Sequence, residues 1–159
     1  MSPQSGSGAE TTLKLLIENE EILSDLYRIF AGFFPDVQSF WSGLVVEEKS
    51  HAAQLRILTG RLGAPRADIS TLFSVDTLRE NIRLLKEQIE KFRQKKPSLR
   101  QAIETAIEIE NTMIEKRFFE AFDDQSEEAR KVLRGLREFT EMHVKRLAEF
   151  ATSQQSRES

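Results

Sequence analysis

Apolar residues recur along most of the chain at alternating spacings of three and four residues. This spacing places them on one face of an α-helix, which completes a turn about every 3.6 residues, whereas a half-buried β-strand alternates apolar and polar residues. Segments with that strict alternation are missing from the sequence. The pattern therefore predicts an all-α fold.

Five helices are predicted from this periodicity and from residues that start or stop helices. Capping patterns such as Ser98 followed by Gln101 mark starts, and Pro35, Gly60 and Pro97 mark ends. The predicted helices cover residues 12–34, 37–59, 77–95, 98–122 and 124–151. A single domain over residues 11–151 is expected, and the Ser- and Gly-rich residues 1–10 and the polar residues 152–159 are expected to be disordered tails.

The lengths of the connections predict how the helices are arranged. Very short turns join the first two helices and the last two, so each of these pairs is expected to form an antiparallel hairpin. The long connection between the hairpins contains the third predicted helix. Two antiparallel helical hairpins with a long crossover that contains an extra helix have the connectivity of a ferritin-like four-helix bundle.

Composition narrows the kinds of site that such a bundle can hold. The chain has 159 residues and no Cys, which excludes disulfides, Cys-ligated zinc, iron–sulfur clusters and a thiol nucleophile. Its net charge of −3 argues against nucleic acid as a partner. No apolar segment approaches the ~20 residues of a membrane span, and the N-terminal residues lack the features of a secretion signal. We therefore expect a cytoplasmic protein without a membrane partner.

Each of the four main predicted helices carries a polar residue in the middle of its apolar face. Glu20 interrupts the first helix, Glu48 and His51 interrupt the second, Glu110 the fourth and His143 the fifth. In antiparallel hairpins the middles of the helices lie at the same level, so these side chains are expected to meet. Buried carboxylates are costly unless protons or a cation neutralise them, and a bound metal ion is the simplest compensation.

The spacing of Glu48 and His51 also favours a metal site. The two residues are three positions apart, which places them on one helix face, where both can bind one ion. Oxygen and nitrogen ligands without sulfur suit iron, manganese or zinc. The alternative is a surface Glu beside a core His that makes a hydrogen bond. For His143, which has no Glu three residues earlier, the alternative is a structural core residue.

The two predicted hairpins repeat each other in sequence. Glu110 follows Glu20 by 90 positions, and His143 follows His51 by 92. The neighbouring residues match as well, with IENEEI around the first Glu and IEIENT around the second. An internal duplication of this kind would build one site from two similar halves.

In these features the chain resembles the ferritin-like superfamily, and within it the rubrerythrin branch, over about residues 11–151. That family places a lone Glu on each of two helices and a Glu-x-x-His on each of the other two, all facing two metal ions. The sixth ligand position departs from the family, because Thr140 stands where a Glu is expected. The metal ligands that the resemblance implies are Glu20, Glu48, His51, Glu110 and His143.

The resemblance implies iron as the cofactor, with two ions if the site is complete. It implies oxidation of iron(II) by dioxygen or reduction of peroxide, with electrons from an external donor, because a chain without Cys has no rubredoxin module. Thr140 leaves several arrangements open: two metals with a bridging hydroxide, Glu108 or Glu141 as a substitute ligand, or one ion of iron, zinc or manganese on the first three ligands.

Two other functions remain as alternatives at this point. One is a degenerate bundle that binds one metal or none and acts as a structural or interaction module, which Thr140 favours. The other is an iron-storage cage, which rests on chain length and fold analogy.

The expected protein partners are a second copy of the chain and an electron donor. A homodimer is expected because exposed faces of Phe-rich bundles often pair. The segment 79–100 carries eight Lys and Arg against three Glu. We interpret it as the solvated outer face of an amphipathic helix, and the alternative is a docking surface for an acidic partner or nucleic acid.

Overall fold

The computed structural model describes residues 5–62, 75–115 and 127–158. Within these ranges the chain is helical and contains no β-strand, which confirms the predicted all-α fold. The chain divides into two compact units, Met1–Lys95 and Lys96–Ser159. The helices are α1 (Ser5–Phe33), a one-turn 3₁₀ helix (Pro35–Val37), α2 (Gln38–Leu62), α3 (Val75–Gln94), α4 (Leu99–Glu115) and α5 (Glu127–Glu158).

In the first unit, α1 and α2 form an antiparallel hairpin. The hydroxyl of Ser24 donates a hydrogen bond to the Val45 carbonyl at 3.3 Å, and the ring centroids of Phe30 and Trp41 lie 4.8 Å apart. Residues later in α1 thus contact residues earlier in α2. The turn is short because Pro35, which has no N–H to donate, ends the α-helical pattern at once and opens the 3₁₀ helix.

Large apolar side chains fill the interface of the hairpin. The indole of Trp41 lies between the rings of Tyr27, Phe30 and Phe40, with centroid distances of 5.8, 4.8 and 5.3 Å. Burying an aliphatic or aromatic side chain of this size contributes about 1.5–3 kcal/mol. The fully buried residues of this interface are Leu13, Leu16, Leu23, Leu26, Tyr27, Phe30, Trp41, Leu44 and Leu55.

Helix α3 packs against α1 along an uninterrupted apolar stripe. Phe92 contacts Phe30, with ring centroids 5.5 Å apart, and the Lys86 ammonium lies 3.0 Å from the Glu18 carboxylate. Since the two contacts occur in the same order along both helices, α3 runs in the same direction as α1. Its buried residues are Leu78, Ile82, Leu85, Ile89 and Phe92.

In the second unit, α4 and α5 pack against each other. The start of α4 is fixed by the predicted capping box. The Ser98 hydroxyl accepts a hydrogen bond from the Gln101 N–H at 3.1 Å, and the Gln101 side-chain oxygen accepts one from the Ser98 N–H at 3.0 Å. The buried residues of this unit include Ala102, Ile103, Ala106, Glu110, Thr140, His143 and Leu147.

The first and last helices are longer than predicted. Helix α1 begins at Ser5 and α5 continues to Glu158, so residues 5–10 and 152–158, expected to be tails, are helical. Near the end of α5 the hydroxyls of Thr152 and Ser156 donate to carbonyls four residues earlier, at 3.1 and 3.2 Å. These bonds give the two hydroxyls a partner within the helix, although the composition of the segment indicates disorder.

Other predicted boundaries lie outside the described residues. These are the end of the fourth predicted helix at residue 122 and the start of the fifth at residue 124. In the described ranges no single helix has both the length and the apolar content to cross a membrane. Only the bent pair Leu13–Phe33 and Pro35–Ile57 meets that criterion, by length and composition, with its two segments taken together.

Candidate metal centre

Three of the predicted ligands meet inside the first unit. Glu20, Glu48 and His51, here called the Glu20 cluster, are 4%, 1% and 3% exposed. The Nδ1 atom of His51 lies 3.1 Å from Glu48 Oε2 and 3.8 Å from Glu20 Oε2. One ligand atom from each residue lies within 4.8 Å of the others. The cluster therefore offers two carboxylates and one imidazole to a single point.

The helix periodicity explains why these side chains meet. On α1, Glu20 follows Leu16 by four residues and precedes Leu23 by three, so it faces α2 with them. On α2, Leu44 and Leu55 flank the Glu48–His51 pair in the same way. All four leucines are at most 1% exposed. The cluster is thus a polar layer between two apolar layers of one hairpin.

The environment of the cluster favours bound protons when no cation is present. Burial, followed by repulsion from Glu48, raises the pKa of Glu20 well above its usual value. Burial alone would lower the pKa of His51, but hydrogen bonds to Glu20 and Glu48, and the charges of both carboxylates, raise it to about 9. Protons on these groups offset the repulsion between two buried carboxylates.

The donor set of the cluster fits a divalent metal ion. Two carboxylate oxygens and one imidazole nitrogen, without sulfur, suit iron, manganese and zinc. Two carboxylates also balance the charge of one divalent ion, so metal can take the place of the protons. The neighbouring Glu18 and Glu21 are exposed to solvent and form ion pairs with Lys86 and Arg56, so they lie outside the cluster.

The other two predicted ligands meet inside the second unit. Glu110 and His143, here called the His143 pair, are 2% and 1% exposed, and His143 Nδ1 lies 3.4 Å from Glu110 Oε1. Thr140 is one helical turn before His143 and is 5% exposed. Thr140, which stands where the rubrerythrin pattern has a Glu, is therefore a buried residue one turn from His143.

The two residues considered as substitutes for the missing carboxylate both lie on the surface. Glu108 is exposed. Glu141 is half exposed and pairs with Arg137, whose Nε lies 3.3 Å from its carboxylate. Neither side chain is buried as Thr140 is. Among the described residues of the second unit, Glu110 is thus a buried carboxylate and His143 a buried imidazole.

Sequence reasoning did not single out two other buried polar residues beside the Glu20 cluster. Asn19 is 5% exposed and Ser24 is 1% exposed. Ser24 lies one turn after Glu20, and its hydroxyl binds the Val45 carbonyl across the hairpin. Its place on the apolar face, four residues after Glu20, is the feature of the sequence that could have identified it.

A surface cleft of about 450 Å³ lies in the first unit and is lined by residues of α1 and α2. Ser24 and Ala52, both buried, contribute to its lining, and Ala52 directly follows His51 in sequence. The charged residues Glu21, Lys49 and Arg56 also line it.

Comparisons with models of protein families, with curated proteins and with solved structures find no match for this chain. The functional conclusion therefore depends on the chemistry of the buried carboxylates and histidines.

Proposed function

We propose that this protein binds a divalent metal ion, with iron as the cofactor, in a ferritin-like helical bundle of the rubrerythrin type. The observation that carries the proposal is the Glu20 cluster. Its three metal-ligating side chains are buried together, and their ligand atoms lie within 4.8 Å of one another. Such a group is costly to bury without a compensating cation or protons.

The internal repeat supports a second metal position. The His143 pair repeats the positions of Glu20 and His51 after 90 and 92 residues. Each pair is buried, and in each a His Nδ1 lies within 4 Å of the Glu carboxylate, at 3.8 Å in the first and 3.4 Å in the second. We propose that the two hairpins combine in a four-helix bundle, as the resemblance to ferritin-like proteins implies, with the Glu20 cluster and the His143 pair as the two halves of its metal centre.

The activity proposed for this centre is oxidation of iron(II) by dioxygen or reduction of peroxide. Bound iron would supply the electron transfer. The residues of the chain would hold the ion and exclude bulk water: Glu20, Glu48 and His51 bind it, and the leucines on either side keep the layer dry. Reduction of peroxide would require an external electron donor, because the chain has no Cys with which to hold an iron–sulfur site.

The alternative is a bundle with one metal or none that serves as a structural or interaction module. Thr140 supports it, because the second unit lacks the carboxylate that the family pattern requires. The two proposals differ in how many ions each chain binds and in whether bound iron reacts with an oxidant.

Metal content per chain tests the proposal. The protein would be loaded with iron(II) without oxygen, desalted and analysed by plasma mass spectrometry. We expect at least one iron per chain, and we expect Glu48→Ala/His51→Ala to lose it. Glu141→Ala is the matched control, because it removes an exposed Glu and should leave the metal content unchanged.

Circular dichroism and the fluorescence of Trp41, the single Trp, would show that each variant is folded. Iron bound equally well by the double variant, or no iron in the folded wild-type protein, would contradict the proposal. Consumption of dioxygen or peroxide by the loaded protein would then separate the redox activity from the structural alternative.

A further inference from the structure

The cations of α3 differ in how they are paired. In the middle of the helix, Arg83 pairs with two glutamates of its own helix, and the Lys86 ammonium lies 3.0 Å from the Glu18 carboxylate. At the end of the helix, the sequence KFRQKK of residues 91–96 carries four cations and no acid. The cations of this end that are exposed and form no ion pair within the described ranges are Lys91, Arg93 and Lys95.

Aromatic rings lie at the same end of the first unit. Phe92, which two of these cations flank in sequence, packs on Phe30 with ring centroids 5.5 Å apart. Phe34, in the turn after α1, also contacts Phe30, at 6.4 Å, and its ring lies 6.3 Å from that of Phe33. Phe33 and Phe34 are only half-buried. The Phe34 surface is defined here as the rings of Phe33 and Phe34 together with Lys91, Arg93 and Lys95.

Cations outnumber acids at this end of the unit. The acids are Glu90, whose carboxylate accepts a hydrogen bond from the Gln94 side chain at 3.3 Å, and the exposed Asp36. Cations in the last turn also offset the negative end of the helix dipole. That role does not account for the phenylalanine rings that remain partly in water beside them. Aromatic residues and Arg within a polar rim are typical of surfaces that bind other proteins.

Packed side chains connect the Phe34 surface to the interior of the hairpin. The ring of Phe30 lies 5.5 Å from that of Phe92 and 4.8 Å from the indole of Trp41. Trp41 is 0% exposed and lies on the face of α2 that carries Glu48 seven residues later. Seven residues span about 10 Å along a helix. The route from this surface towards the Glu20 cluster therefore runs through close-packed side chains of one hairpin.

We infer that an acidic protein that carries single electrons binds at the Phe34 surface and delivers its electrons to the bundle there. The inference rests on the proposed function, in which reduction of peroxide requires an external donor. One hydrogen peroxide takes up two electrons and two protons and yields two molecules of water. Two carrier molecules supply the electrons, each losing one, and solvent supplies the protons. Complementary charge speeds each encounter, and a small interface keeps the complex short-lived.

Binding of a carrier to the metal-free full chain tests the docking separately from iron. The probe is an oxidised plant-type [2Fe–2S] ferredoxin of acidic net charge, which carries one electron. Isothermal titration calorimetry would measure its affinity at about 20 mM and about 300 mM salt, since added salt screens exposed charges. We expect binding at the lower salt concentration and an affinity at least about ten-fold weaker at the higher one.

Two variants with the same change in charge control the binding experiment. Lys91→Glu/Arg93→Glu reverses two cations of the Phe34 surface and should weaken binding at low salt at least about ten-fold. Lys14→Glu/Arg79→Glu reverses two cations near the other ends of α1 and α3 and should weaken it less than about three-fold. Lys14 precedes Phe34 by 20 residues, about 30 Å along a helix. Circular dichroism would show that both variants are folded.

Electron delivery is measured on the same proteins after loading with iron and oxidation by peroxide. Stopped-flow absorbance would follow the oxidation of pre-reduced ferredoxin at low salt. We expect Lys91→Glu/Arg93→Glu to oxidise ferredoxin at least about ten-fold more slowly than the wild-type protein, and Lys14→Glu/Arg79→Glu to keep the wild-type rate. Plasma mass spectrometry should find the same iron content in all three proteins, because neither variant alters a proposed ligand.

The possible outcomes separate this inference from the proposed function. Absence of ferredoxin binding at low salt, or equal weakening by both variants, would overturn the inference. An unchanged rate of ferredoxin oxidation in Lys91→Glu/Arg93→Glu would overturn it as well, and so would binding of a DNA duplex in place of ferredoxin. In these cases iron would still bind and the proposed function would stand. No iron in the folded wild-type protein would contradict the proposed function, and the inference with it.

Discussion

At the scale of single residues, the chemistry of this protein depends on a few polar side chains placed on apolar helix faces. Glu20, Glu48 and His51 occupy positions where the helix periodicity requires apolar residues. Burying these side chains lowers the stability of the fold unless their charges are compensated. Their proximity can compensate for this, because two carboxylates held close together fit a cation. Under the proposed function, stability and metal binding are therefore coupled at these residues.

The first prediction concerns the pH dependence of stability without metal. Glu20 and His51 both have raised pKa values in the folded protein, that of His51 to about 9, so the folded state binds more protons than the unfolded state. The stability that these protons contribute is fully present at low pH. It begins to be lost above the pKa values of the unfolded chain, 4.5 for Glu20 and 6.5 for His51. The loss continues as the pH rises through about 9, the pKa of His51 in the folded protein. Urea unfolding of the chelator-treated protein at several pH values measures this decrease.

The control for the pH prediction removes every titrating group of the Glu20 cluster. In Glu20→Gln/Glu48→Gln/His51→Gln the free energy of unfolding should change much less between neutral and alkaline pH. Saturating metal should also reduce the pH dependence of the wild-type protein, because the ion displaces the protons. A wild-type decrease that the triple variant reproduces in full would show that other groups cause it.

At the scale of helices, α3 stabilises the fold although no polar residue interrupts its apolar stripe. Helix α3 contributes no ligand, yet its stripe from Leu78 to Phe92 covers one side of α1. The uninterrupted stripe also distinguished the crossover helix from the four main helices in the sequence. A helix of this kind supports the site by holding α1 in place, with no chemistry of its own.

Two adjacent leucines of α3 give a matched test of this role. Leu85 is 7% exposed, whereas Leu84 is 50% exposed. Leu85→Ala should lower the free energy of unfolding by about 2–4 kcal/mol, because it leaves a cavity against α1. Leu84→Ala should cost less than about 1 kcal/mol, since that side chain is already half in water. Urea unfolding measures both, and equal costs would contradict the packing of α3.

The cap of α4 gives a smaller and more local prediction. The Ser98 hydroxyl accepts a hydrogen bond from the Gln101 N–H at the start of the helix. Ser98→Ala should lower the free energy of unfolding by about 1 kcal/mol, because that N–H loses its partner. Ser156→Ala, near the end of α5, is the control and should have little effect. Thermal unfolding of the two variants compares them.

At the scale of the whole molecule, the number of chains in the assembly stays a prediction. A homodimer should have twice the chain mass of 18.3 kDa in light scattering coupled to size-exclusion chromatography. A single-chain mass would contradict the expected dimer. A mass many times larger would favour the storage-cage alternative. Repeating the measurement after removal of metal would show whether assembly depends on the site.

Much of the fold was predictable because the helix periodicity is strong and proline marks the turns. The Pro35 turn, the α3 stripe and the Ser98 cap follow from local rules that hold in any sequence. The ends of α1 and α5 did not follow from these rules, because both segments have the polar composition that is typical of disordered tails.

The candidate site was predictable for a similar reason. A Glu or His on an apolar stripe is visible in sequence, and the structure buries all five such residues. Ser24 was not predicted, because a single serine on a helix face can be exposed or buried and its sequence position does not distinguish the two. The surface position of Glu108 and Glu141 also needed the structure, since each is only one or two positions away from a buried residue and sequence alone left both open as ligands.

The position of the Glu20 cluster within one hairpin has a consequence for biosynthesis. All three of its ligands lie between residues 20 and 51, so the cluster is complete once α1 and α2 have left the ribosome, before α4 and α5 are made. Contacts that are close in sequence form fast. If the proposed metal binding holds, the nascent hairpin could acquire the ion while translation continues, and the availability of metal in the cell would then act on the first steps of folding.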